Sequence, residues 1–134
     1  MTAMTASSAL SAAGSDRQRA VIDDDHLGRM TLGDRRLERE VLEIFVRQVD
    51  IVAELLAHAN RDEAAMAAHT MKGSARGIGA WLMASAAERL EHAAGAGNRA
   101  DLGEATEGLR TASLEAKAVI GARLDGLRDL VANA

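Results

Sequence analysis

The chain has 134 residues and a formal charge of -4; 48% of it is hydrophobic, yet Phe45 and Trp81 are its only aromatics, and it has neither proline nor cysteine. That length suits one domain with a real core, and a composition rich in alanine, leucine and charge favours helices over sheet, whose strands want β-branched and aromatic residues. Disulfides and thiolate metal sites are excluded, no basic footprint for nucleic acid is present, and no apolar run approaches the roughly 20 residues that cross a bilayer.

Residues 1 to about 15 are rich in Thr, Ser and Ala and lack the positive start of a secretory signal. Residues 1–18 are expected to form a flexible arm, with the folded unit spanning 19–134. A short helix is expected between Asp16 and Met30, with Ala20, Val21, Leu27 and Met30 as its core contacts. The acidic run Asp23-Asp24-Asp25 suits a helix N-terminus, where carboxylates meet unpaired backbone N–H groups. His26 follows with no evident partner and reads as a surface histidine.

Asp34, after Gly33, is an N-cap candidate. Behind it Leu37, Val41, Ile44, Phe45, Gln48, Val49, Val52, Leu55, Leu56 and Ala59 recur at three- and four-residue steps, the clearest amphipathic helix of the chain. Arg36, Arg39, Glu43, Arg47, Asp50 and Glu54 make its solvated face. Asn60 is placed to cap the next helix, with Glu63 completing a capping box. That helix should run from about Arg61 to Arg76 and end at Gly77 and Gly79. A third helix, from about Ala80 to Ala94, carries Leu82, Ala86, Leu90 and Ala93 on one stripe. Gly95-Ala96-Gly97-Asn98 breaks the chain again. The last helical region, Ala100 to about Val131, presents Leu102, Ala105, Leu109, Ala112, Ala116, Val119 and Ile120, then Leu124, Leu127, Leu130 and Val131, with a kink or break expected near Gly121. Short links between amphipathic helices imply antiparallel neighbours. The expected fold is all-α, an up-and-down four-helix bundle with an additional short N-terminal helix.

The second of these long helices carries the chemistry. At about 100° per residue, Asp62, Ala65, Met66, Lys72, Gly73 and Arg76 share the face of His69. Ala64, Ala67, Met71, Ser74, Ala75 and Ile78 lie opposite and form the face that should be buried. A histidine thus points at solvent beside two cations and a glycine. A lone surface histidine is usually inert, and a nearby lysine usually serves solubility. Gly73 weakens that plain account, because glycine inside a helix costs roughly 1 kcal/mol relative to alanine in a stretch where alanine is freely used. It leaves a bare patch that a second protein's backbone could approach. Lys72 and Arg76 favour a dianion at or near the imidazole, and neutral imidazole, available near neutral pH, is a nucleophile toward phosphorus.

His69-Thr70-Met71-Lys72-Gly73-Ser74, followed by Gly79, resembles the H-x-x-K-G-S-x-x-x-x-G signature of histidine-containing phosphotransfer (HPt) domains of two-component phosphorelays. Leu82 and Leu90-Glu91 resemble the helix that follows in that family, and the order of Leu32-Gly33-Asp34, the Phe45 helix and Arg61-Asp62 is similar too, so the resemblance covers about Asp23 to Leu124. It implies that His69 accepts phosphate through Nε2, that Lys72 neutralises and positions the phosphoryl group, that Gly73 keeps space for the partner, and that Ser74 packs or hydrogen-bonds inward. Glu91 stands where family members often have glutamine. As a carboxylate it would accept from Nδ1–H and fix the tautomer that leaves Nε2 nucleophilic; the plain alternative is that Glu88 and Glu91 are simply two surface acids. Met71 departs mildly from the usual leucine and fits a core position.

No glycine-rich nucleotide loop occurs and no acidic metal cluster surrounds His69, so the chain is expected to be a phosphoryl carrier and not an enzyme in its own right, with no cofactor of its own. The Mg²⁺ that phosphoryl transfer needs would belong to its partners. These would be response-regulator receiver domains, including those of hybrid histidine kinases, met in the cytoplasm by a monomer that binds neither nucleic acid nor membrane. The docking surface would comprise Ala65, Met66, Ala68, Gly73 and Arg76 with exposed parts of the preceding helix. A metal-carrying bundle built on His58, His69 and His92 is the weaker rival, since inward Glu-x-x-His pairs are spoiled by Met66 and Arg89. A helical docking module that binds receiver or kinase domains without carrying phosphate is the stronger one. Against it, a pure docking surface has no need of the histidine. A dimeric, kinase-like phosphotransferase would need a second α/β domain for which the chain has no room.

Overall fold

Each long helix begins or ends where its sequence supplies a cap. The protein is represented by a computed structural model that describes residues 21–132, with side chains through residue 127. The expected arm, residues 1–18, and the helix and core positions from Asp16 to Ala20 lie outside the described residues. Five helices are present and no strand among the described residues: α1 (Asp24–Met30), α2 (Arg35–His58), α3 (Arg61–Ile78), α4 (Trp81–Ala96) and α5 (Arg99–Ala132). Asp23 caps α1 by accepting from His26 N–H, with Asp24 and Asp25 in the first turn. Asp34 caps α2 through Arg36 and Leu37 N–H. Asn60 and Glu63 form a reciprocal capping box on α3. Asn98 accepts from Ala100 and Asp101 N–H at the start of α5.

The helices pack in a cycle: α2 on α3, α3 on α4, α4 on α5, and α5 back on α2, with α1 laid against α3. The α3–α4 pair is the most intimate. The buried positions of the two helices are mostly alanine (Ala68, Ala75, Ala84 and Ala87 among them), and small side chains let two helices approach closely. Larger side chains fill the remaining core. Leu42 of α2, Met71 of α3, Leu90 of α4 and Leu109 and Ile120 of α5 are fully buried, each worth roughly 1.5–3 kcal/mol relative to exposure.

Three expectations need correction. Leu42 is fully buried although it is absent from the expected α2 stripe, whereas Ile44, in that stripe, is 49% exposed. The α2 sequence holds two apolar registers, and the core takes 42, 45 and 49. Met30, expected in the core, is 50% exposed, because α1 turns only Leu27 inward. Helix α5 runs unbroken through Gly121. Ala116, Ile120, Leu124 and Leu127 are all buried and follow one another at four-, four- and three-residue steps, so the apolar stripe keeps its phase and needs no break.

Candidate functional site

The α3–α4 junction sets the register that builds the site. Gly79 adopts φ 81°, the left-handed conformation favoured by glycine. Its N–H donates to the Arg76 carbonyl while Ala80 N–H donates to the Ala75 carbonyl, a Schellman closure. The chain then turns directly into α4. His69 and Lys72 meet Glu91, and Arg76 meets Glu88. Partner numbers fall on one helix as they rise on the other, which is the signature of an antiparallel pair.

The His69 side chain is 73% exposed, while Met71, two residues on, is fully buried. Its Nδ1 lies 2.6 Å from Glu91 Oε2, and Lys72 Nζ donates to Glu91 Oε1, also at 2.6 Å. The Lys72 hydrogen bond, with the His69 contact adding to it against partial desolvation, holds the Glu91 carboxyl below its ordinary range. An ionised carboxylate can only accept. Nδ1 therefore carries the proton in this contact, and in the neutral ring the lone pair sits on Nε2, which has no protein partner among the described residues. Arg76 reaches Glu88 at 3.6 Å, both side chains being exposed. The arrangement is a nucleophilic nitrogen facing solvent, oriented from behind, with an ammonium one helical turn away.

Gly73 is exposed, and a Cβ added there would meet nothing within 4 Å. Beside it a shallow apolar groove runs between α2 and α3, lined by Met30, Val41, Ile44, Gly73, Ser74 and Gly77 among others. Ser74 is half-buried along this groove. Met66 is 72% exposed and Ala65 half-buried on the same face. Ala68 was expected on the docking surface and is instead fully buried. At about 100° per residue it sits a quarter turn or more from His69, on the side that faces the core. Met30 and Ile44 at the groove were missed as surface residues because their type marks them for a core. His58 and His92 are exposed, and among the described residues no group of three or more His, Asp or Glu side chains is placed to hold a metal ion. No helix among the described residues is long and apolar enough to cross a membrane.

His26 is not the partnerless surface histidine expected. It is half-buried, its Nε2 lies 3.0 Å from the Gly77 carbonyl, and its ring meets Trp81 edge-on at a centroid distance of 5.0 Å. Trp81 in turn donates from Nε1 to Asp23. These contacts join residues more than 50 positions apart, which no local sequence pattern reports.

The family model described as Hpt domain matches residues 40–132, from the first third of α2 to the end of α5. The fold is similar to the X-ray structure of a putative histidine-containing phosphotransfer protein from rice, with a TM-score of 0.69, 17% identity, and coverage of 96% of this chain and 98% of that one. At that identity the likeness concerns the fold. No curated protein matches the sequence.

Proposed function

The chain belongs to the Hpt-domain family, and from that membership we propose that it is a phosphorelay intermediary in which His69 accepts a phosphoryl group from a receiver-domain aspartyl phosphate and passes it to another receiver domain. One observation carries the residue assignment: the exposed His69 is held by Nδ1 on Glu91, which leaves Nε2 without a protein partner among the described residues, and the same carboxylate holds Lys72 one helical turn away. In the transfer step the Nε2 lone pair forms the N–P bond. The P–O bond of the acyl phosphate breaks, and its electron pair stays on the receiver carboxylate. Lys72 is placed to neutralise phosphoryl oxygens as charge shifts between the two proteins, and Arg76 adds positive potential one turn further along. The receiver supplies the Mg²⁺.

Docking in this reading uses Met66, Ala65, Gly73 and Arg76 together with the groove bordered by Ile44 and Met30. The bare helix surface at Gly73 admits the partner's backbone, and the apolar groove gives it something to cover. The same family membership carries the finer architecture, an up-and-down bundle of α2 to α5 with α1 as a short extra helix, and a cytoplasmic place of action among receiver domains.

The test is phosphoryl transfer from a phosphorylated receiver domain to the parent chain and to His69→Gln. We expect label on the parent, none on the variant, and superimposable far-UV circular dichroism. Equal labelling of the two proteins would remove His69 from the mechanism. A variant that docks normally while the parent takes no label would favour the docking module without phosphate.

A further inference from the structure

The carboxylate behind His69 holds two groups at once. Glu91 Oε2 engages the ring at Nδ1 and Glu91 Oε1 engages the Lys72 ammonium, each at 2.6 Å. Lys72 is the least exposed of the three side chains, at 16%, so in the unphosphorylated protein it is drawn in against Glu91 and not extended into solvent. A phosphoryl group arriving on Nε2 brings between one and two negative charges and three acceptor oxygens. Lys72 then stands between two anions.

We propose that Glu91 is a positioning residue that competes with the phosphoryl group for Lys72, and so keeps the phosphoryl group on His69 short-lived and ready to leave. The inference rests on the reading of His69 as the phosphorylated residue. When the N–P bond forms no proton has to move: Nδ1–H stays on Glu91 Oε2, and the ring acquires a formal positive charge. A positively charged ring is a good leaving group when an acceptor oxygen attacks phosphorus and the N–P electron pair returns to Nε2. Meanwhile Lys72, shared with Glu91, neutralises the phosphoryl oxygens less completely than a free ammonium would. A neutral amide at this position would still accept from Nδ1–H but would hold no cation, and Lys72 would turn wholly to the phosphoryl group.

The experiment compares the parent with Glu91→Gln, Lys72→Ala and the double variant. Each chain is phosphorylated with phosphoramidate and freed of reagent, and decay of the phosphohistidine is followed by ³¹P NMR. His69→Gln serves to subtract label on the other histidines. Glu91→Gln should lengthen the half-life about fivefold to tenfold, the scale of one unit charge near a dianion across several ångströms of largely aqueous surroundings. In the Lys72→Ala background the same substitution should change it about twofold or less, because the shared cation is gone. The ¹⁵N spectrum of His69 should show the same tautomer in the parent and in Glu91→Gln, since the amide oxygen still accepts. Equal half-lives in the parent and Glu91→Gln overturn the proposal, and so does an undiminished effect without Lys72. Phosphoramidate needs no receiver domain, so failure of the relay reading shows separately, as a labelled chain that exchanges phosphate with no receiver.

Discussion

Two histidines in this protein are held across helices, and they are held by opposite ring nitrogens. His26 uses Nε2, facing the Gly77 carbonyl with its ring edge-on to Trp81. A carbonyl only accepts, so that nitrogen carries the proton and its lone pair is not available. His69 uses Nδ1, facing a carboxylate from α4, and keeps Nε2 for solvent. The same side chain is consumed as a structural joint at one place and leaves a ring nitrogen without a protein partner at the other. Exposure alone does not make the difference. It lies in which nitrogen the fold occupies and in what holds it: a backbone carbonyl for His26, and for His69 a carboxylate that also holds a cation.

Glutamine at each position gives the widest separation between the two regions. His69→Gln should abolish phosphate acceptance and leave stability within about 0.5 kcal/mol, as expected for a surface substitution. His26→Gln should leave transfer rates unchanged and lower stability by about 1–2 kcal/mol, through a lost buried-side hydrogen bond and aromatic contact. Transfer kinetics and thermal melts on both variants check the pair. A His26 variant with slowed transfer would show that the α1 junction also shapes the active face.

The next effect in size falls on the joint. Gly79 combines φ 81° with a tight neighbourhood: an added Cβ would lie 3.0 Å from Asp23 Cβ and 3.2 Å from His26 Cβ. Gly79→Ala should cost about 2–3 kcal/mol, part from the left-handed backbone and part from contact, measured as the free energy of chemical unfolding. Phosphate acceptance on the folded fraction should persist. An unchanged stability would mean that α1 does not depend on this turn.

The caps at Asp34, Asn60 and Glu63 and the outward direction of His69 were legible because they depend on residues within one helical turn. The family signature was legible for the same reason, being a run of adjacent residues on α3. The joint of Asp23, His26 and Trp81 was not legible, since it forms only when α1 folds back onto the α3–α4 turn, where Asp23 N–H donates to the Gly79 carbonyl. Ala68 was misplaced for a geometric reason: adjacency to His69 in sequence puts it on a different face of α3. The choice between Leu42 and Ile44 on α2 was set by the position of α3 and α5, and two apolar registers in one helix leave that choice to tertiary packing. Glu91 was legible as a candidate, while its second contact with Lys72 required the α3–α4 register.

In the proposed relay Lys72 serves the phosphoryl group on His69, and its removal should have a middling effect. Lys72→Ala should slow phosphoryl transfer about tenfold by removing one charge-assisted contact to the transferred group, without weakening the affinity for the receiver domain. Transfer rates at saturating and subsaturating receiver, together with a direct binding isotherm, distinguish the two. Equal rates in variant and parent would leave Lys72 as a partner of Glu91 only.

The smallest effect lies in acid, where each region has one carboxylate held below its ordinary range. Glu91 is held down first by Lys72, and Asp23 first by the hydrogen bond from Trp81 Nε1, with His26 N–H adding to it. A depressed carboxyl contributes stability that is present above its unfolded value and is lost as the pH falls through its folded value. For Asp23 the window therefore lies below its ordinary 3.8. Trp81→Phe keeps an aromatic edge for His26 but removes the first cause of the shift. The variant should melt lower than the parent at neutral pH, and the two melting temperatures should converge as the pH drops below about 4. A gap that stayed constant from pH 7 to pH 2 would assign the loss to ring packing alone and remove Asp23 from the joint.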